Sequence, residues 1–224
     1  MTPGGRLRQM SIKLVLFDMD GVLVDAPSSW VTIHSHFGVS NEENTRRFFD
    51  NEIDEAEFMR SDISLWKRVK PDLTISDITE ILDREPLMKG ATETIAALSR
   101  RGVRTAIISG GLDVLAGRVA MLTGIDCAVA NGLETDVNGM LTGEGVLRVR
   151  IRDKSECALK IMKVFDVDGD ECAAVGDGPS DMALFGSVGT SIAFNALNRN
   201  IEKAADHTVR EKDLTRVIDF VVNK

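Results

Sequence analysis

The sequence predicts an α/β protein: a doubly wound parallel sheet with a small helical unit inserted after the first strand. Three observations carry this reading. From residue 90 onward, short apolar runs of strand length alternate with helical patterns, as in a parallel sheet covered on both faces. The first such run, 12–17, stands apart, and residues 28–85 follow it with no convincing strand. Acidic or glycine-rich turns close several of the runs, at the sheet edge where open α/β folds place their ligands.

The elements follow in order. Strand 12–17 ends in Asp18-Met19-Asp20-Gly21. In the insert, Phe58, Ile63, Leu65, Trp66 and Val69 recur near helical spacing. Asp54 is placed to cap that helix, with Glu55 and Glu57 in its first turn. Ser76 is expected to cap the next helix, over 77–84, and Pro71 and Pro86 punctuate the block. Trp30 and Trp66 are expected in the core of the insert. Helix 91–101 stops at Gly102. Strand 104–109 runs into Ser109-Gly110-Gly111 and a helix over 112–122. Strand 126–130 leads to a β-hairpin with Asn138-Gly139 as its turn. Helix 154–164, strand 172–175, short helix 180–185, strand 190–194 and helix 213–222 complete the chain. The division is a core of 1–25 plus 87–224 and an insert of 26–86.

Composition excludes several classes of partner. The chain has 224 residues, 43% hydrophobic and 28% charged, with a net charge of −8, ordinary for a globular protein. An acidic chain is a poor ligand for nucleic acid, which needs a basic face, and for anionic membrane surfaces. No apolar run approaches transmembrane length. Residues 1–10 hold Arg6 and Arg8 without an apolar core, so they read as a flexible lead and not a secretory signal, with Met10 as an alternative start. Cys127, Cys157 and Cys172 are widely spaced, which argues for thiols in a reducing cytoplasm and against a zinc site. His34 and His36 share no helix face and make a poor metal pair. The acidic run 166–170 has its glycine too early for a calcium loop and reads as a helix-to-strand turn. Nothing in the chain distinguishes a monomer from a homodimer.

The chemistry lies at the strand ends. Asp18 and Asp20 stand where a buried strand turns, a costly place for charge without a cationic partner. Ser109-Gly110-Gly111 offers a hydroxyl and bare amides for an anion. Lys154 offers a mobile point charge suited to phosphate. Strand 172–175 runs into Gly176-Asp177-Gly178-Pro179-Ser180-Asp181, which adds two more carboxylates to the same edge. Such hard oxygen donors suit Mg²⁺.

In this order, Asp18-Met19-Asp20-Gly21, Ser109, Lys154 and Gly176-Asp177-Gly178-x-x-Asp181 resemble the four motifs of the haloacid dehalogenase-like phosphohydrolases. Ile108-Ser109-Gly110-Gly111, Leu141-Thr142-Gly143 and Val175-Gly176-Asp177-Gly178 bring the chain nearest to the phosphoserine phosphatase group. The resemblance covers nearly everything after Met10 and implies that the insert is a helical cap. It implies Asp18 as nucleophile, forming an aspartyl-phosphate, and Asp20 as general acid and then base. It implies Mg²⁺ held by Asp18, Asp177 and the Asp20 carbonyl, with Asp181 supporting the metal site and orienting Lys154. Ser109, the Gly110 N–H and Lys154 then hold the phosphoryl oxygens. Asp20 must carry a proton for the first step, so its pKa is expected to be raised, by its anionic neighbours.

The chain departs from the phosphoserine phosphatases in four places. Gly21 replaces a Ser or Thr. Pro27 stands where a Glu reads the substrate ammonium. Asp62 stands where a cap Arg reads the carboxylate, with Arg60 two residues away as a possible substitute. Ser180 replaces an Asn. The expected activity is therefore Mg²⁺-dependent hydrolysis of a small phosphorylated metabolite, without a named substrate. Phosphotransfer to another acceptor, as in superfamily mutases, and a non-catalytic phosphate-binding domain are the alternatives.

Overall fold

The computed structural model describes residues 11–222. Strand β1 (Leu14–Phe17) is buried along its whole length, as a central parallel strand must be. Four helices follow it: α1 (Ser29–Phe37), α2 (Glu42–Phe49), α3 (Glu55–Val69) and α4 (Ile75–Leu82). Asp54 caps α3 as predicted, its side chain accepting from the Glu57 N–H at 2.8 Å. The cap of α4 is Thr74 and not Ser76. Thr74 Oγ1 accepts from the Asp77 N–H at 3.2 Å while Asp77 accepts from the Thr74 N–H at 2.9 Å. This reciprocal box satisfies two orphan amides, which Ser76, already inside the first turn, cannot do.

Helix α5 (Ala91–Ser99) leads back to the sheet at β2 (Arg104–Leu112), followed by α6 (Asp113–Thr123), β3 (Cys127–Thr135) and β4 (Leu141–Val146). Then come α7 (Ser155–Phe165), β5 (Cys172–Gly176), α8 (Met182–Phe185), β6 (Thr190–Phe194), α9 (Arg199–Ala204), β7 (His207–Val209) and α10 (Ile218–Val222). Among the described residues the sheet order is β4-β3-β2-β1-β5-β6-β7, with β3–β4 antiparallel and the other strand pairs parallel. The chain leaves β1 toward β2 and later crosses back to β5, so the strand order reverses beside β1. A crevice at that reversal is where such sheets bind ligands.

Alternation along β1 divides the core between two faces. Val15 and Phe17 join Leu98, Val119 and Val221 from α5, α6 and α10, whereas Leu14 and Leu16 join Ala158, Ile161, Leu184 and Ile201 from α7, α8 and α9. This is the doubly wound arrangement the sequence predicts. Ile33, Ile63, Trp66 and Ile78 from the inserted helices belong to the first of these clusters. Burying each such side chain is worth about 1.5–3 kcal/mol.

Two turns differ from expectation. Ser109, Gly110 and Gly111 lie within β2, and the helix begins only at Asp113. The β2–β3 register shifts between Ser109 and Leu112, so the strand continues past an irregularity instead of turning into a helix. In the β3–β4 hairpin the Gly139 N–H bonds to the Asp136 carbonyl at 3.0 Å, which makes Val137 and Asn138 the central pair. Gly139, with φ +79°, follows them, as a three-residue loop with a left-handed third position demands. The hairpin is bonded to the insert: the Ile75 N–H meets the Gly139 carbonyl and the Leu141 N–H the Leu73 carbonyl, both at 2.9 Å.

Candidate active site

Asp18 follows β1 directly, its N–H continuing the ladder to the Val175 carbonyl at 2.9 Å. One carboxylate oxygen accepts from the Met19 N–H and the other from Lys154 Nζ, both at 2.7 Å. The turn behind it depends on Gly21, whose φ is +79° and where a Cβ would lie 2.2 Å from Asp177 Oδ2. Only glycine lets these two acidic segments approach so closely.

Lys154 is 2% exposed and bridges two acids: Asp18, and Asp181 at 2.7 Å. Burial alone would lower its pKa, but Asp18 and Asp181 outweigh that and hold it protonated. Asp181 is fully buried, and its second oxygen accepts from the Asp177 N–H at 3.1 Å and the Gly178 N–H at 3.0 Å. Those amides and Lys154 fix Asp181 as a rigid strut under the turn. Gly176 makes room for it, since a Cβ there would lie 2.3 Å from the Asp181 carboxyl carbon.

The carboxylates of Asp18, Asp177 and Asp181 offer one oxygen each within 4.8 Å of one another. Burial raises the pKa of Asp18 well above the usual range against the pull of Lys154. Burial, then the Asp181 charge, pushes Asp177 up to about 7. Hard oxygen donors this close, resisting ionisation, fit a small dication such as Mg²⁺. The Asp20 carboxylate lies outside this cluster; the resemblance assigns its part in the metal set to the main-chain carbonyl.

Asp20 faces the inserted helices. Its Oδ2 accepts from Ser29 Oγ at 3.0 Å, and its Oδ1 is buried without a partner. Its pKa is raised to about 6, chiefly by burial, with the Ser29 hydrogen bonds opposing. The direction matches the sequence reading and the cause does not, because negative charge contributes least: Glu85 is a minor influence after burial, Ser29 and Lys154. Ser109 is buried, and its Oγ accepts from the Gly111 N–H at 3.0 Å. The Gly110 carbonyl accepts from Trp30 Nε1 at 3.1 Å and Asn131 Nδ2 at 3.2 Å, which pins this segment from both sides.

These groups share a cavity of about 720 Å³ lined by Asp18, Asp20, Ser109, Gly110, Lys154 and Asp177, with inserted-helix residues on the opposite wall. Trp30 belongs to that wall as well as packing on Trp66, 5.4 Å between ring centroids. Asp62 also reaches the cavity. Its Oδ1 accepts from His34 Nε2 at 2.9 Å and Asn41 Nδ2 at 2.6 Å. Trp66 Nε1 donates to His34 Nδ1 at 2.9 Å, which assigns the imidazole proton to Nε2. The chain Trp66–His34–Asp62 thus fixes an acid where the relatives of this fold were expected to carry an arginine.

Arg60 is placed elsewhere. Its Nε and Nη2 grip Glu144 of the hairpin at 2.7 and 2.9 Å, exposed to solvent, and it does not line the cavity. The sequence reading missed Ser29, Asn131 and Arg152. Each meets the site through partners at least nine residues away, so no local pattern marks them.

The haloacid dehalogenase-like hydrolase family profile matches residues 12–189. The chain belongs to that family. It is 32% identical over 213 residues to a phosphoserine phosphatase of Methanocaldococcus jannaschii, covering 93% of this chain and 97% of the relative. It is 30% identical to a phosphoserine phosphatase of Idiomarina loihiensis, covering 92% and 91%. A substrate-bound phosphoserine phosphatase structure superposes with a TM-score of 0.80 at 30% identity, covering 94% of this chain and 99% of that one. Among the haloacid dehalogenase-like hydrolases, this chain therefore stands nearest the phosphoserine phosphatase group.

Proposed function

We propose that this chain is a Mg²⁺-dependent phosphomonoesterase that works through an aspartyl-phosphate. The observation that carries the reading is Lys154, buried between Asp18 and Asp181 beside Asp177 at the mouth of β1 and β5. Phosphoryl transfer is mostly positioning and charge neutralisation, and this arrangement supplies both.

Asp18 attacks phosphorus while the bond to the ester oxygen breaks, and Asp20 gives its proton to that oxygen. Asp20, now ionised, takes a proton from water. The water oxygen attacks phosphorus, which releases inorganic phosphate and free Asp18. Ser109, the Gly110 N–H and Lys154 hold the phosphoryl oxygens, and Asp181 positions Lys154. Asp18, Asp177 and the Asp20 carbonyl would hold Mg²⁺, which when bound offsets the repulsion between carboxylate and phosphate. The raised pKa of Asp20, at about 6, suits a group that must give and then take a proton near neutrality.

The insert, 26–86, acts as the cap, closing the cavity and supplying specificity contacts. With Pro27 and Asp62 at the positions expected to read phosphoserine, the substrate is a small phosphorylated metabolite, and phosphoserine is one candidate among several. No helix among the described residues is long and apolar enough to cross a membrane. Cys157 and Cys172 are buried thiols, with pKa values pushed up to about 11 and about 12 by burial, in keeping with a reducing compartment such as the cytoplasm.

The test is phosphate release with Mg²⁺ from a panel of small phosphomonoesters, L-phosphoserine included. Asp18→Asn is expected to abolish turnover with the circular-dichroism spectrum unchanged, and a chelator to abolish it in the wild type. Turnover by Asp18→Asn would refute the nucleophile assignment.

A further inference from the structure

Arg152 sits on the cavity wall, two residues before Lys154. Its guanidinium carbon lies 3.9 Å from the centroid of the Phe48 ring, and its Nη1 donates to Asn51 Oδ1. Phe48 is fully buried and stacks on Phe58 at 4.7 Å with the rings 8° apart. The guanidinium plane is therefore set by a rigid aromatic platform on α2 and α3.

The other side of the group is unsatisfied. Nε and Nη2 of Arg152 are shielded from solvent and have no hydrogen-bond partner among the described residues. Buried donors are costly to leave unpaired, and charged ones more so. Nε and Nη2 share one edge of a guanidinium and point in parallel, the fork that takes both oxygens of a carboxylate or two of a phosphate. Two other arginines of this chain have that edge filled. Arg60 presents it to Glu144 at 2.7 and 2.9 Å, and Arg210 to Glu202 at 2.9 and 3.1 Å.

Charge around the cavity narrows what can fill it. Lys154 and Arg152 are the cavity's cations among the described residues, and Lys154 is engaged by Asp18 and Asp181. Glu42 and Asp62 line the same space and repel a second anion placed near them. Arg152 is the one group there suited to receive it. We infer that Arg152 is a specificity residue that pairs with a second anionic group, carboxylate or phosphate, on the leaving-group side of the substrate. This rests on the phosphomonoesterase reading of the same cavity.

The experiment compares kcat/KM for ω-carboxyalkyl phosphates of increasing chain length with that for alkyl phosphates of matched length, and adds the matching bisphosphates. The wild type is expected to prefer one acid-bearing ester over its neutral counterpart. Arg152→Met and Arg152→Gln are expected to lose that preference by roughly 10- to 100-fold through KM, and Arg152→Lys to keep part of it. The carboxylate and bisphosphate arms tell the two anions apart. A wild-type ratio near one, or an equal loss on charged and neutral esters, overturns the inference while leaving the phosphatase reading intact. Absence of turnover on every ester overturns the phosphatase reading. Calorimetric binding of 3-phosphonopropionate against propylphosphonate then still decides Arg152: an unchanged binding ratio in Arg152→Met refutes it, and a lost preference supports it. Melting curves for each variant establish that it is folded.

Discussion

Replacing Asp177 with asparagine is expected to stabilise the metal-free protein above neutral pH and to remove its thermal response to Mg²⁺. Asp177 is buried beside Asp181, and its pKa rises from the ordinary 3.8 to about 7. Because the folded value lies above the unfolded one, the folded state binds the proton more tightly, and stability from this group falls as pH rises between the two. Each tenfold change in proton affinity is worth about 1.4 kcal/mol, so the full cost above about pH 7 is roughly 4 kcal/mol. Below the unfolded value it vanishes. That cost already sets burial and Asp181 against the attraction to Lys154. Asparagine keeps the shape and removes the charge, but its buried amide N–H groups need new acceptors, so a net gain of roughly 2 kcal/mol is expected at about pH 8. For a chain of this size that corresponds to a rise in Tm of roughly 4–8 °C. The assay is thermal denaturation by circular dichroism at several pH values, in chelator and in millimolar Mg²⁺. Wild-type protein gains stability with Mg²⁺ by mass action, the variant does not, and the metal-free difference shrinks toward about pH 4. A lower Tm for metal-free Asp177→Asn at about pH 8 would refute the electrostatic argument, and an undiminished Mg²⁺ response would refute the metal assignment.

Three further outcomes follow from the same geometry. Burial pushes the Asp20 pKa up to about 6, and the proposed first step needs Asp20 protonated, so kcat/KM for alkyl phosphates should fall as pH rises above that value. Aryl phosphates with good leaving groups should lack this limb, and an identical limb for both would contradict Asp20 as the acid. At Gly111 a Cβ would lie 2.4 Å from Asp20 Oδ2 and 2.5 Å from Ser29 Oγ. Gly111→Ala should therefore displace the acid and cut kcat by roughly 100-fold in a folded protein, and near-normal turnover would show that Asp20 tolerates the shift. Arg60→Ala should leave KM unchanged for every ester, because Arg60 holds Glu144 at the surface. A rise in KM would bring Arg60 back to the substrate.

What the sequence displays and what it hides divide along a physical line. Asp18, Asp177 and Asp181 are legible because each follows a short apolar run: in a parallel sheet the strand ends converge, so knowing the strands locates the acids. Asp54 as a helix cap is legible for a similar reason, since its partner is three residues away. Errors begin where two local solutions compete. Thr74 and Ser76 are both capping residues, and only the reciprocal bond with Asp77 decides between them. Helix α9 and strand β7 escape because a few residues at a sheet edge carry too little periodicity.

Contacts made across long stretches of chain are not legible at all. Arg60 and Glu144 are 84 residues apart, and Arg152 and Asn51 are 101 apart. Whether either arginine faces substrate depends on how the β3–β4 hairpin and the loop before α7 pack on the inserted helices. Sequence proximity favours Arg60, two residues from Asp62, yet a surface glutamate takes its Nε and Nη2. Arg152 has no family motif to recommend it, yet it lines the cavity and its buried Nε and Nη2 have no hydrogen-bond partner among the described residues. The cause of the Asp20 pKa is hidden in the same way. Four acids in the motifs suggest repulsion, but Lys154 absorbs the charge of Asp18 and Asp181, and the Asp20 pKa is raised chiefly by burial of the carboxyl group, with Ser29 opposing. In the proposed mechanism the strand ends supply the chemistry, and the inserted helices, by helping to bury the Asp20 carboxyl group and by packing on Arg152, set its proton affinity and the choice of ester.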